Sequence, residues 1–133
     1  MAQAKEQRQR KRPGAATAPE GAPGLVVVTD HVNLTWRSPL TGPNDETVGP
    51  RFPSMTGIYE PDLVTTLLRG AEGMIVEPGV VAGVRDDIDL NSFERETVTD
   101  HAVPAVSSEL VPVAIVAAHM GLRLAAAVIL RDY

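Results

Sequence analysis

The sequence predicts an α/β domain. Two patterns carry that expectation. Short apolar, β-branched or continuous runs at Leu25–Thr29 and Leu124–Leu130 suit buried strands. Between them lie segments with helix start and stop signals, the clearest at Glu109–Met120. Strands alternating with helices define the class. The composition agrees, with 133 residues, 44% hydrophobic and 22% charged, the size of one domain. Only 4% of residues are aromatic, so the core must be built from Val, Leu, Ile and Ala.

Each element has a local reason. Residues 1–24 hold Lys5, Arg8, Arg10, Lys11 and Arg12 against Glu6 and Glu20, so this stretch carries +3 and the rest −8 of a net −5. It is rich in Ala, Gln, Pro and Gly without an apolar period, and is expected to be a disordered basic tail. Clustered cations would suit an anionic partner. No aromatic residue is interleaved to stack on bases, and the acidic body repels polyanions, so a solvated leader and no nucleic-acid partner are expected. Residues 25–133 form the domain. After the Leu25–Thr29 strand, Asp30–Pro61 is dense in Pro, Gly, Asn, Asp and Ser, which predicts a long ordered loop. Asp62–Arg69 reads as a short helix stopped by Gly70, and Met74–Val76 as a strand. Pro78–Asp89 carries no clear signal. Ser92–Thr97 opens a short helix in which Ser92 and Glu96 satisfy early N–H groups. Glu109–Met120 is apolar around most of its axis and should be largely buried, with Pro112 in its first turn and Gly121 as its stop. Leu124–Leu130 is expected to be covered on both faces.

Several function classes are excluded. The chain has no cysteine, so there is no disulfide scaffold, thiolate metal site or Cys nucleophile. No apolar run reaches the roughly 18 residues of a membrane span, and the charged N-terminus has no apolar stretch behind it. A soluble, cytoplasmic protein without membrane contact is expected. His101 and His119 form no His-x-x-x-His pair, so no metal is expected. Asp86-Asp87-x-Asp89 lacks the further ligands of a calcium loop and reads as a solvated turn. A lone His31 in a loop is expected to hold backbone through its ring N–H, and Trp36 to be partly buried.

The loop carries the most information. It reads Asp30-His31-Val32-Asn33-Leu34, then Ser38-Pro39-Leu40-Thr41-Gly42-Pro43-Asn44-Asp45, then Arg51-Phe52-Pro53-Ser54-Met55, then Tyr59. This resembles the purine nucleoside phosphorylase family of the trimeric type, which includes methylthioadenosine phosphorylase. That family has D-H-[IV]-N-L, N-P-L-x-G-P-N-D, R-F-P-x-M and a Tyr in this order and spacing. Val111-Pro112-Val113-Ala114-Ile115-Val116-Ala117-Ala118-His119-Met120-Gly121 is similar to its V-P-E-x-[IV]-x-A-x-H-x-G helix. Two departures stand out. Val113 replaces the family's Glu, and Ser107-Ser108-Glu109-Leu110 replaces G-M-S-T, so the Met that underlies the ribose is not evident.

The resemblance implies a truncated phosphorylase/hydrolase-like fold: a mixed sheet with flanking helices and a long ordered loop. It implies phosphate-dependent cleavage of purine nucleosides to a base and a pentose 1-phosphate. No cofactor is implied, only inorganic phosphate as co-substrate. The family's purine site uses a Glu in S-[FY]-E-T, which Ser92-Phe93-Glu94 matches over three positions, with Thr97 arriving two residues late. An ungapped alignment places Val84 at that Glu instead. Asp132, in the pair Asp132-Tyr133, stands where the family has its second base-reading residue. A carboxylate there suits a 6-amino group, while a charged chain-end pair is the alternative. Phe52 is the family's aromatic that enters the neighbouring subunit's site, where its face excludes water and stacks on the nucleoside. The family's phosphate-binding Ser and Arg-x-His precede the D-H-[IV]-N-L loop and have no counterpart in residues 1–24, so no catalytic residue is assigned. The chain is expected to be inactive alone and to work in a homo- or hetero-trimer with a partner chain. It is alternatively a non-catalytic subunit of a full-length phosphorylase, or a degenerate remnant.

Overall fold

The computed structural model describes residues 24–71, 73 and 75–130. Residues 1–23 of the proposed tail and the Asp132-Tyr133 pair lie outside these residues, as does Met74. The described chain runs β1 (Leu25–Asn33), α1 (Pro61–Gly70), β2 (Val76–Gly83), α2 (Ser92–Asp100), β3 (Ala105–Ser107), α3 (Leu110–His119) and β4 (Ala127–Ile129). One mixed sheet has the order β3-β2-β1-β4. β2 is parallel to both β1 and β3, while β4 joins β1 antiparallel.

β1 is the central strand. Val26, Val27 and Val28 are all fully buried. Successive side chains point to opposite faces, so the sheet is covered on both sides there. The strand continues past Thr29, where its sequence pattern fades, because an irregularity between Val28 and Asp30 resets its pairing with Gly79 and Val80. The added residue lets the ladder run on to Asn33 opposite Gly83.

β2 begins two residues later than the sequence suggested and occupies the first half of the stretch that carried no signal. Pro78 and Gly79 obscure it, since both residues are poor ladder formers. Tertiary contact explains Gly79: a Cβ there would meet the Pro104 ring at 2.7 Å. Gly83 is under the same pressure from α3, where a Cβ would lie 2.3 Å from Val111 Cγ2.

α3 lays Ala114 and Ala117 into a core with Val26, Val28, Val81 and Ala105. Its end is a Schellman stop: Leu122 N–H donates to the Ala117 carbonyl at 2.9 Å and Gly121 N–H to Ala118 at 3.1 Å, with Gly121 at φ +74°. α3 is less enclosed than its sequence implied, since Val113 and Val116 are exposed.

β4 corrects a second expectation. Burial from Leu124 to Leu130 alternates between half-buried and exposed, so one face packs on the core and the other is open. The strand sits at the sheet edge, where apolar composition alone does not secure a cover.

Candidate functional site

The loop of residues 34–60 leaves the carboxyl end of β1 and is fastened at several points. At its base, His31 Nδ1 and the Tyr59 hydroxyl share a hydrogen bond of 2.7 Å, with the rings edge-to-face at 5.6 Å. His31 therefore grips a side chain rather than the backbone. Burial lowers its pKa despite the opposing pull of Asp30, and pushes that of Tyr59 upward. Asn33 Oδ1 accepts from Thr35 N–H at 3.0 Å, which turns the chain out of the strand.

Farther out, the loop is seated on the end of α3. The buried His119 places Nε2 2.9 Å from Asn44 Oδ1 and 3.1 Å from the Gly49 carbonyl. A carbonyl can only accept, so Nε2 carries the proton. Asn44 Nδ2 closes the triangle by donating to Gly49 O at 3.0 Å. Gly49 has to be glycine here, since a Cβ would lie 1.8 Å from the His119 carbonyl oxygen. Arg51 ties the next segment back by donating to Gly42 O at 2.7 Å. Between these fastenings and the partly buried Met55, Phe52 stands 87% exposed.

A second feature lies where β1 and β2 end side by side at Asn33 and Gly83. The segments that follow both strands enclose a hollow of about 200 Å³ lined by Leu34, Trp36, Arg85, Ile88, Leu90 and Glu94, among others. In open α/β sheets, ligands bind outside the carboxyl ends of parallel strands. Glu94 is buried at the start of α2. Its Oε2 accepts from Asn91 N–H at 2.9 Å, while Asn91 Oδ1 accepts from Glu94 N–H at 2.9 Å, a reciprocal capping box. The cap is thus Asn91 with Glu94, where Ser92 with Glu96 was expected. Oε1 of Glu94 accepts from Trp36 Nε1 at 2.6 Å. Trp36 is 73% exposed, in place of the expected partial burial, and its backbone is in the left-handed region at φ +57°.

Phe93, beside Glu94, is exposed on α2. Val84, the other residue aligned with the family's Glu, is in the core. Asp87 is the hub of a surface cluster, bonded to Arg37 at 3.0 Å and to Arg85 at 3.1 Å. These guanidinium groups, Arg85 first, hold its carboxyl down to about 2. Among the described residues, no three His, Asp or Glu side chains stand together as metal ligands, and no helix is long and apolar enough to cross a membrane. Sequence reasoning missed Asn91 and the Trp36–Glu94 contact, and named Asn44 as a motif residue without its partner His119. Asn91 left a signal, the Asn-x-x-Glu spacing of a capping box.

Comparisons with known proteins give the family. The sequence model of the Phosphorylase superfamily matches residues 15–133. Purine nucleoside phosphorylase 1 of Bacillus subtilis is 33% identical over 101 residues, covering 74% of this chain and 37% of that protein. The mouse purine nucleoside phosphorylase is 32% identical over 108 residues, with the same coverages of 74% and 37%. Among solved structures, a Schistosoma mansoni purine nucleoside phosphorylase complexed with a monocyclic inhibitor superposes with a TM-score of 0.71 at 25% identity, over 87% of this chain and 47% of that one. The chain therefore spans little more than a third of these curated relatives' length. Its motif-bearing loop, its parallel strand ends and the family match together place it in the Phosphorylase superfamily, beside the purine nucleoside phosphorylases.

Proposed function

We propose that this chain is a purine nucleoside phosphorylase-like protein that contributes the base-binding side of a phosphate-dependent nucleoside-cleaving site. The observation that carries the reading is Glu94: a carboxylate 6% exposed, set at the carboxyl ends of two parallel strands and opening on a hollow. An acceptor placed there can take the N–H of a purine and oppose charge developing on the leaving base. Phe93 and Asp132 complete the proposed purine-binding set. Inorganic phosphate is the co-substrate, with no metal or cofactor. The phosphate-binding groups come from a partner chain of different sequence in a cytoplasmic trimer, and the chain alone, as a monomer or a homo-trimer, is inactive.

Phosphorolysis of inosine, guanosine and methylthioadenosine, with phosphate varied, tests this. No turnover is expected from the purified chain, and phosphate-dependent release of free base by it alone would overturn the need for a partner. With a complementing chain, Glu94→Gln should lower the rate, and an unchanged rate would remove Glu94 from the site.

A second reading is favoured by Phe52. A residue 87% exposed, with Asn44 and Arg51 bonded before it and Met55 packed on the core after it, suits insertion into a neighbouring subunit. In that case the chain is a non-catalytic subunit lending Phe52 to a full-length phosphorylase. Mixed trimers in which Phe52→Ala weakens nucleoside binding would support it.

A further inference from the structure

We propose that Trp36 is a specificity-determining residue whose indole N–H occupies the Glu94 acceptor and is displaced by the ring N–H of an entering purine base. This rests on the reading of Glu94 as the purine acceptor.

The two oxygens of Glu94 are used differently. Oε2 belongs to the cap of its own helix, through Asn91 N–H at 2.9 Å. Oε1 receives its donor from Trp36, 58 positions away in sequence, at 2.6 Å. A buried carboxylate oxygen without a donor is unfavourable, so something must fill this position when no ligand is present. Trp36 does so with a side chain that is 73% exposed. Little packing holds the ring in place, and its φ of +57° is one that aromatic residues adopt only at a cost. The contact is therefore exchangeable, whereas the cap is not.

The chemistry of the exchange is specific. Indole Nε1–H is a neutral donor on the edge of a flat bicyclic ring, as is N1–H of a 6-oxopurine. Leu34, Ile88 and Leu90 supply apolar surface beside the acceptor. The hollow, about 200 Å³, falls below the ~300 Å³ at which sites for whole drug-sized ligands begin, so it suits a base rather than a whole nucleoside. The swung-out indole remains available to stack on that base. The closed contact acts as an internal competitor: apparent affinity is reduced by the fraction of molecules in which Trp36 is seated.

Equilibrium dialysis of the full chain with hypoxanthine tests this, with 1-methylhypoxanthine as the probe lacking the N1 donor. Trp36→Phe keeps an aromatic ring and removes the competing N–H, and should tighten hypoxanthine binding about tenfold, as expected for one hydrogen bond to a charged group. Glu94→Gln preserves the cap, since Gln serves at that position of a capping box, and should abolish binding. Trp36 is the sole tryptophan, so its emission should change along the same isotherm with hypoxanthine and stay constant with 1-methylhypoxanthine. If Trp36→Phe binds no tighter while Glu94→Gln abolishes binding, the displacement is overturned and the Glu94 reading stands. If neither the parent chain nor Trp36→Phe binds hypoxanthine, the Glu94 reading fails and the displacement fails with it.

Discussion

Phe52 and Glu94, two of the site candidates that the structure describes, live under opposite conditions. In the segment leading to Phe52, Asn44, Gly49 and Arg51 are each bonded within the chain, the first two to His119, yet the Phe52 ring itself meets solvent. Around Glu94 the functional group itself is enclosed and both oxygens are engaged. The first region spends its order on holding an apolar group outward. The second uses a local cap and one long-range donor to keep a charge indoors. An exposed aromatic on a rigid support fits a partner, while a satisfied buried carboxylate waits for a ligand that can replace one of its donors.

Substitutions should separate the two regions. The largest effect is expected from Gly49→Ala, because the added Cβ collides with backbone atoms of His119, at 1.8 Å from O and 2.9 Å from C. It should cost about 3 kcal/mol in a urea titration. An unchanged midpoint together with unchanged amide exchange in residues 44–52 would show that the loop is not seated on α3. His119→Ala removes the donor shared by Asn44 and Gly49 and should cost about 2 kcal/mol, with faster exchange in the Phe52 loop but not in α2. The converse is Asn91→Ala. Loss of the cap should cost about 1 kcal/mol and loosen the first turn of α2, leaving the loop untouched. Equal exchange changes in both regions would erase the distinction.

The smallest expected effect is a pH dependence at the base of the loop. Burial lowers the His31 pKa below its ordinary 6.5, so the fold favours the neutral ring. That contribution is complete above 6.5 and is lost as pH falls from there through the depressed folded value. His31→Gln should flatten the dependence of the urea midpoint on pH in that window. A slope identical to that of the parent chain would assign it to another group.

Much of this was legible in the residues. Gly121 as a helix stop, α3 itself and the ordered loop follow from local rules, because glycine at positive φ and the 3.6-residue period act within a few residues. The family is written in the loop for a related reason. Its residues have fixed contacts within the chain: Asn44 meets the ring of His119, and Gly49 leaves no room for a Cβ against the His119 carbonyl. What was illegible depended on neighbours. β2 hid behind Pro78 and Gly79 because the ring of Pro104 that demands Gly79 is distant in sequence. The Leu124–Leu130 run promised burial on both faces, but its position at the sheet edge gives it one. Trp36 looked partly buried from its place in the loop and is exposed, and the Glu94 partner of its N–H is 58 positions away.

By itself, the sequence determined the α/β class, the glycine stop of α3, the absence of cysteine chemistry and the family likeness, all of which are set by residue identity and short spacing. The tertiary structure alone decided which histidine fastens the loop and which aromatic ring is offered outward. It also decided that the Glu94 carboxylate, spelled as a helix-start residue, shares its charge between its own helix and the indole of Trp36. Those outcomes depend on distances between residues far apart in the chain, and such distances exist only once the sheet has brought the ends of β1 and β2 together.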